Sequence, residues 1–318
     1  MVGLVRPRPL AWPLPTLAGS TLVLAVRPRE RPASQKAPAA WASELGELAG
    51  AGFTAIDLVD SWLSPAELSR SRLEDLSAAI ADTGLAVAGV SVVRRSVIDP
   101  EHGDENLEVT LRTLEAAASL GAPVLSIGFH RPLTKEQRAS KFWLVPSPED
   151  ARDDATWRVA TERVATVAGR GAELGVDISL ELHEGTLLDS ALGALRIIDA
   201  VGAENLGINA DLGNLVRVPR PLERSWEEEL RVALPALNYW HVKNYVRTER
   251  PAAGEFVSAP SDLSSGVIDY RRALRLAVEH GYGGPVCIEH YEGDALSSIA
   301  NGRRYLEQVL RDVGGGAA

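Results

Sequence analysis

Apolar and polar positions along this chain change rhythm at short, regular intervals, and the rhythm predicts strands and helices in alternation. Strand-like runs rich in Val, Ile and Leu fall at 21–27, 55–60, 86–94, 124–130, 178–183, 207–212, 238–243 and 285–290. Continuous apolar character of that kind suits parallel strands buried on both faces. Between the runs the period lengthens to that of a helix. In 105–121, Leu107, Leu111, Leu114, Ala118 and Leu120 form one stripe, with Glu108, Arg112 and Glu115 largely on the other side. Most helices stop at a glycine before the next strand, as at Gly52, Gly84, Gly121, Gly175, Gly202 and Gly281, where a left-handed C-cap is sterically easy.

Eight such units argue for an α/β fold of the closed (β/α)8 TIM-barrel type. An open doubly wound sheet fits less well, because no Gly-x-Gly-x-x-Gly phosphate turn follows the first strand. Residues 1–20, broken by Pro7, Pro9, Pro13 and Pro15, are expected to form an extended arm rather than a signal-peptide core. Residues 21–318 are then a single barrel. Two connections are long, 131–153 and 246–266, and both leave C-terminal strand ends, where barrel enzymes build their sites. They are expected to form lids or a partner-binding rim, although 246–266 also reads as a disordered surface loop.

Composition narrows the function classes. A formal net charge of −10 over 318 residues, with no basic run, disfavours a nucleic-acid surface. No stretch is long and apolar enough to span a membrane, and a cytoplasmic location is expected. The one cysteine, Cys287, lies inside an apolar run and reads as a small core residue.

Candidate chemistry gathers at the ends of the last four strand runs: ISLELHE at 178–184, LGINADLGNL at 206–215, NYWHVKNY at 238–245 and PVCIEHYE at 285–292. Glu181, Asp211, His241 and Glu289 would converge there on one divalent ion. Three carboxylates and an imidazole suit Mn²⁺, Mg²⁺ or Co²⁺ better than a thiolate-seeking metal. Strand parity puts Ser179, Glu181 and His183 on one face, and an ionised Glu facing a barrel interior is costly unless paired or metal-bound. His183 is a candidate substrate contact or proton shuttle, and His130 a candidate acid/base group. His290 alternates to the face opposite Glu289. Asn214, Arg217, Lys243 and Arg131 are candidate ligands for substrate oxygens or a carboxylate, or else members of loop salt bridges. Asp57, Asp60 and Trp62 end strand two and are candidates for the pocket floor, while Arg94 and Arg95 follow strand three, where an anionic group would meet them.

Over roughly residues 20–312 the sequence resembles the xylose-isomerase-like barrels, sugar phosphate isomerases/epimerases that include tagatose 3-epimerases and inosose dehydratases. The Glu of LELHE, the Asp of NADLGN, the His of HVKNY and the Glu of CIEHY carry the likeness. It implies that Glu181, Asp211, His241 and Glu289 hold Mn²⁺ or a related ion such as Mg²⁺, Co²⁺ or Zn²⁺, with Glu181 and Glu289 as proton-transfer groups flanking the substrate carbon. The chemistry implied is proton abstraction beside a keto-sugar carbonyl through a stabilised enediolate.

The segments RRSVIDP, FHRPLT and HVKNY look more like a subgroup that includes the large subunits of C-glycoside deglycosidases. Those are lyases that act on 3-oxo-glycosides by β-elimination with a small partner subunit, and His130 or Glu181 would then be the base. An oligomer, with or without such a partner, is the expectation. A non-catalytic sugar-binding barrel and an endonuclease-IV-like phosphodiesterase are the readings from other classes. The second is disfavoured by the acidic charge and by the lack of histidine ligands on the first strands.

Overall fold

The structure, a computed structural model, describes residues 15–27 and 31–314. Ten strands are present among them: β1 (Leu17–Ser20), β2 (Ala55–Val59), β3 (Ala86–Val92), β4 (Val124–Ile127), β5 (Asp177–Glu181), β6 (Leu206–Asn209), β7 (Leu237–Val242), β8 (Asn244–Arg250), β9 (Glu255–Ser261) and β10 (Val286–Ile288). Eight of these close into a parallel barrel in the order β1-β10-β7-β6-β5-β4-β3-β2, and β8 and β9 form a separate antiparallel hairpin. The helices are α1 (Leu22–Ala25), α2 (Pro38–Gly50), α3 (Arg70–Asp82), α4 (Gly103–Ser119), α5 (Lys135–Arg138), α6 (Asp154–Leu174), α7 (Ala191–Val201), α8 (Leu212–Val216), α9 (Trp226–Ala233), α10 (Tyr270–Glu279) and α11 (Ala295–Gly314). No helix among the described residues is long and apolar enough to cross a membrane.

The helices begin and stop where their sequences dictate. Asp153 accepts the Thr156 N–H at 2.8 Å to open α6, and Ser225 with Glu228 makes a capping box for α9. On α2, Trp41, Leu45 and Leu48 share the buried stripe, each burial worth ~1.5–3 kcal/mol. The main core is this layer between helices and strands.

A second, smaller core fills the barrel itself. Ala18, Ala55, Ala88, Val124 and Cys287 surround Tyr239. These mostly small residues leave room for one large ring, and Gly89 is required beside it, since a Cβ there would meet the Tyr239 Oη at 2.6 Å.

Two expectations need correction. The first strand is LAGS at Leu17–Ser20, inside the segment read as an arm, while most of the 21–27 run is a turn and the short α1. The interior register at β1 takes small residues, Ala18 lying beside Ala55 and Cys287. The bulky run therefore passes to the barrel lip, where Leu22 and Val26 line a cavity. The remainder of the expected arm, residues 1–14, lies outside the described residues. The 246–266 connection is ordered as most of the β8–β9 hairpin rather than as a loop.

Candidate metal centre and substrate cavity

The four expected ligands meet at the C-terminal end of the barrel. Glu181 is the last residue of β5, Asp211 caps α8 just past β6, His241 lies in β7 and Glu289 follows β10. Ligand atoms of Glu181, Asp211 and His241 lie within 4.8 Å of one another. His241 Nδ1 is 3.4 Å from Glu289 and 3.8 Å from Glu181, and it has no hydrogen-bond partner. A buried imidazole nitrogen left unpartnered among three carboxylates is the donor set a hard divalent cation takes. The residues present thus fit a metal.

Asp57, His241 and Cys287 also lie close enough to share an ion. Burial pushes the Cys287 thiol well up, and Asp57 Oδ1 is engaged by the Ser91 and Tyr239 hydroxyls, both at 2.8 Å. That side of the imidazole is better read as its support. His241 Nε2 faces Ser91 Oγ at 3.3 Å and Asp57 Oδ2 at 3.6 Å, so the ring is held with Nδ1 toward the carboxylates.

Electrostatics keeps the cluster ionised despite its burial. For Glu181, the upward push of burial is outweighed by His130, His241 and Lys243, and its pKa is lowered. Glu289 is likewise lowered, by Lys243 and His241 against burial. Burial raises Asp211 to about 6, with Lys243 opposing. The Lys243 ammonium bonds Asp211 at 2.5 Å and Glu289 at 2.7 Å, which raises its own pKa against burial. His241 is raised, the carboxylates of Glu289, Asp57 and Glu181 overcoming its desolvation.

The other expected residues divide between the cavity and the scaffold. Asn214 Nδ2 donates to Glu181 at 3.1 Å, Asp211 at 3.0 Å and Leu182 O at 2.9 Å. Its amide nitrogen orients the carboxylates, while its Oδ1 is buried without a hydrogen-bond partner. Arg217 is paired with Glu184 through Nε and Nη2 at 2.8 Å, and its Nη1 reaches the Tyr291 hydroxyl at 3.0 Å. Because Arg217 Nη2 donates to His183 Nε2 at 3.0 Å, the His183 proton sits on Nδ1 and is directed at Glu184 O, also 3.0 Å away. Both ring nitrogens are engaged, and burial, His130 and Arg217 push its pKa well down. In this arrangement His183 braces Arg217.

His130 differs. Its Nδ1 accepts the Arg94 N–H at 3.2 Å, which puts the ring proton on Nε2. Nε2 lies 3.6 Å from Glu181 and has no hydrogen-bond partner. Gly128 makes this pose possible, because a Cβ there would lie 2.5 Å from the imidazole nitrogen.

Trp62 and Arg131 leave the site. Trp62 is buried with its indole directed at Glu44, 3.2 Å away. Arg131 pairs with Asp150 at 2.8 Å, and Asp150 accepts the Leu187 N–H at 3.1 Å, pinning the long loop to the segment after β5. Asp60 pairs with Arg95 at 3.4 Å, and burial raises it to about 6. His290 is half-buried and lowered by desolvation. Sequence reading missed Glu184 and Tyr291, although both sit inside the quoted strand-end motifs.

Above the carboxylates opens a cavity of about 440 Å³, walled by Arg94, His130, Phe142, Trp143, Arg217 and Tyr291 among others. Phe142 and Trp143 come from the 131–153 connection, and Trp143 Nε1 donates to Ser258 O of the hairpin at 3.0 Å. The two long insertions are therefore one cover.

An eight-stranded parallel barrel with an acid and imidazole cluster at its C-terminal rim defines a TIM-barrel protein with a metal-competent centre. The chain belongs to the xylose isomerase-like TIM barrel family, which it matches over residues 45–309. A xylose isomerase-like TIM barrel protein from Mycobacterium smegmatis, solved in complex with magnesium, is 38% identical over 95% of this chain and 98% of that one, with a TM-score of 0.87. The fold is shared with an L-ribulose 3-epimerase (17% identity, 96% and 97% coverage, TM-score 0.70). It is also shared with a 3-keto-D-glucoside 4-epimerase from E. coli (15% identity, 92% and 99% coverage, TM-score 0.65). No curated protein sequence matches the chain.

Proposed function

We propose that this protein is a divalent-metal-dependent enzyme of the sugar isomerase/epimerase type, moving a proton on the carbon next to a keto-sugar carbonyl. The observation that carries the reading is the unpartnered His241 Nδ1 facing Glu181 and Glu289 at the floor of a sugar-sized cavity. Glu181, Asp211, His241 and Glu289 would hold the ion, and the magnesium bound to the 38% identical relative supports a divalent one. Such an ion polarises a substrate carbonyl and acidifies the adjacent C–H.

The rest is work for side chains. Glu181 and Glu289 approach His241 from different strands; as the carboxylate kept ionised, one takes the proton from one face of the carbon, and the other, when it carries a proton, returns that proton to the opposite face. Asn214 fixes Glu181 and Asp211 in orientation. The His130 Nε2–H, unpartnered and buried against the cavity, supplies a proton to substrate oxygen. That same group favours a second reading, a lyase of the C-glycoside deglycosidase or inosose dehydratase kind. In that reaction a base removes the proton next to the carbonyl and His130 protonates the departing group during β-elimination. A small partner subunit belongs to the deglycosidase reading.

Incubation with Mn²⁺ in D₂O and a panel of ketohexoses, inososes and 3-oxo-glucosides, followed by NMR, tests both. Deuterium should enter next to the carbonyl, with the ring retained for an isomerase or epimerase and with loss of water or aglycone for a lyase. EDTA, Glu181→Gln or Glu289→Gln should each abolish it. Exchange on no sugar, or exchange indifferent to EDTA, overturns the proposal.

A further inference from the structure

Arg94 is a cation without an acid partner in the wall of the same cavity. It follows β3 with φ 59°, and among the described residues it alone, apart from glycines, has a positive φ. Such a conformation is strained for a side-chain-bearing residue and persists only where the surroundings impose it. Here the Arg94 N–H is tied to His130 Nδ1 at 3.2 Å, Nη1 donates to Arg131 O at 3.1 Å, and the guanidinium lies 5.1 Å from the centre of the Phe142 ring. One of five N–H donors is used in this way. No carboxylate among the described residues pairs with Arg94, whereas Arg95 pairs with Asp60 and Glu67, and Arg217 with Glu184. Burial first, and the charge of Arg217 second, lower its pKa to about 10, which still leaves it charged at neutral pH.

We infer that Arg94 receives a carboxylate carried by the substrate, so that the substrate class is an acidic keto-sugar, a keto-hexuronate, and not a neutral ketose. The inference rests on the keto-sugar reading above. A carboxylate matches a single planar guanidinium fork. A phosphate dianion calls for a second free cation, and the other cations of the wall are taken: Lys141 by Glu292, Arg217 by Glu184, and Lys243 by Asp211 and Glu289.

Calorimetric titration of the Mn²⁺-loaded full chain with tagaturonate, tagatose and fructose 6-phosphate tests this. The wild type should hold tagaturonate about tenfold or more tighter than tagatose, as expected for a charge-assisted bidentate contact. That ratio should collapse toward one in Arg94→Met, and also in Arg94→Gly, which accepts the positive φ without strain. Equal affinities in the wild type, or a ratio that survives both substitutions, overturns the inference. A preference for fructose 6-phosphate that vanishes with Arg94 overturns the carboxylate assignment. Deuterium exchange separates the two failures. Exchange on tagatose with no charge preference leaves the keto-sugar reading standing and removes this one, whereas selective tagaturonate binding with exchange on no sugar does the reverse.

Discussion

At the scale of single residues, the centre depends on groups that hold the ligands as much as on the ligands. Asp57 is buried within β2, and among the described residues its one ion-pair contact is the far side of the His241 ring. Asp57→Asn keeps acceptors for Ser91 and Tyr239 but removes the charge that steadies the imidazole. It should weaken Mn²⁺ binding by about 10–100-fold, the usual effect of losing a group that orients a metal-binding histidine, with the far-UV spectrum unchanged. Titration calorimetry reads it, and an unchanged affinity would show that Ser91 alone suffices. Acid has a related effect. Asp211, raised to about 6 by burial, and His241, also raised, must lose protons before they can ligate, so metal binding releases protons and weakens as pH falls. Affinity should drop about tenfold per pH unit for each proton displaced, the His241 proton counting first because its pKa is raised and the Asp211 proton adding to it below about pH 6; a flat profile down to about pH 5 contradicts the ligand set. The four residues that meet at the rim were legible because each is an acid or imidazole at the end of an apolar run. Asp57 could be placed only at the end of its strand, since its link to His241 crosses the barrel and no local spacing encodes it.

At the scale of elements, the alternation of strands and helices was legible from period alone, and the exceptions have a common cause. β1 is four residues long with alanine and glycine at its centre, so the apolar signal that marks a strand is weakest where the barrel requires small side chains. The next run, TLVLAVR, carries the stronger signal and goes to the rim. The 246–266 connection contains Gly254, Pro251 and many polar residues, which mask a hairpin whose pairing spans Asn244 to Ser261. That hairpin is joined to the lid by Trp143, buried with its indole N–H on Ser258 O, and by the edge-on contact of the same ring with Tyr245 of β8. Trp143→Ala removes the joint. The loss, about 3–5 kcal/mol for a buried Trp, should fall on the cover and not on the barrel. Hydrogen exchange should accelerate in both the 139–146 and 255–261 segments and remain slow in β5 and β6. Acceleration in the lid alone would mean that the hairpin stands by itself.

For the whole molecule, barrel closure and charge balance are one problem. The C-terminal ends of β6, β7 and β10 bring Asp211, Lys243 and Glu289 together, and the ammonium bridging the two carboxylates ties three adjacent staves. Three carboxylates, counting Glu181, are buried there, a grouping that repels itself unless positive charge is supplied. A divalent ion and Lys243 answer the same demand, so their contributions to stability should not be additive. Lys243→Met keeps the apolar stem and deletes the charge. In EDTA the variant should lose about 3–5 kcal/mol, the cost of breaking a buried pair. Mn²⁺ at a hundredfold above its dissociation constant stabilises a folded state by about 2.7 kcal/mol, and the variant should gain more from it than the wild type does, because the metal there relieves a cluster with no other cation of full charge. Urea unfolding of both proteins with and without Mn²⁺ gives the double-mutant-style cycle directly. If the penalty of Lys243→Met is the same in Mn²⁺ and in EDTA, the lysine and the ion do not serve one cluster, and the centre assigned to Glu181, Asp211, His241 and Glu289 has to be placed elsewhere.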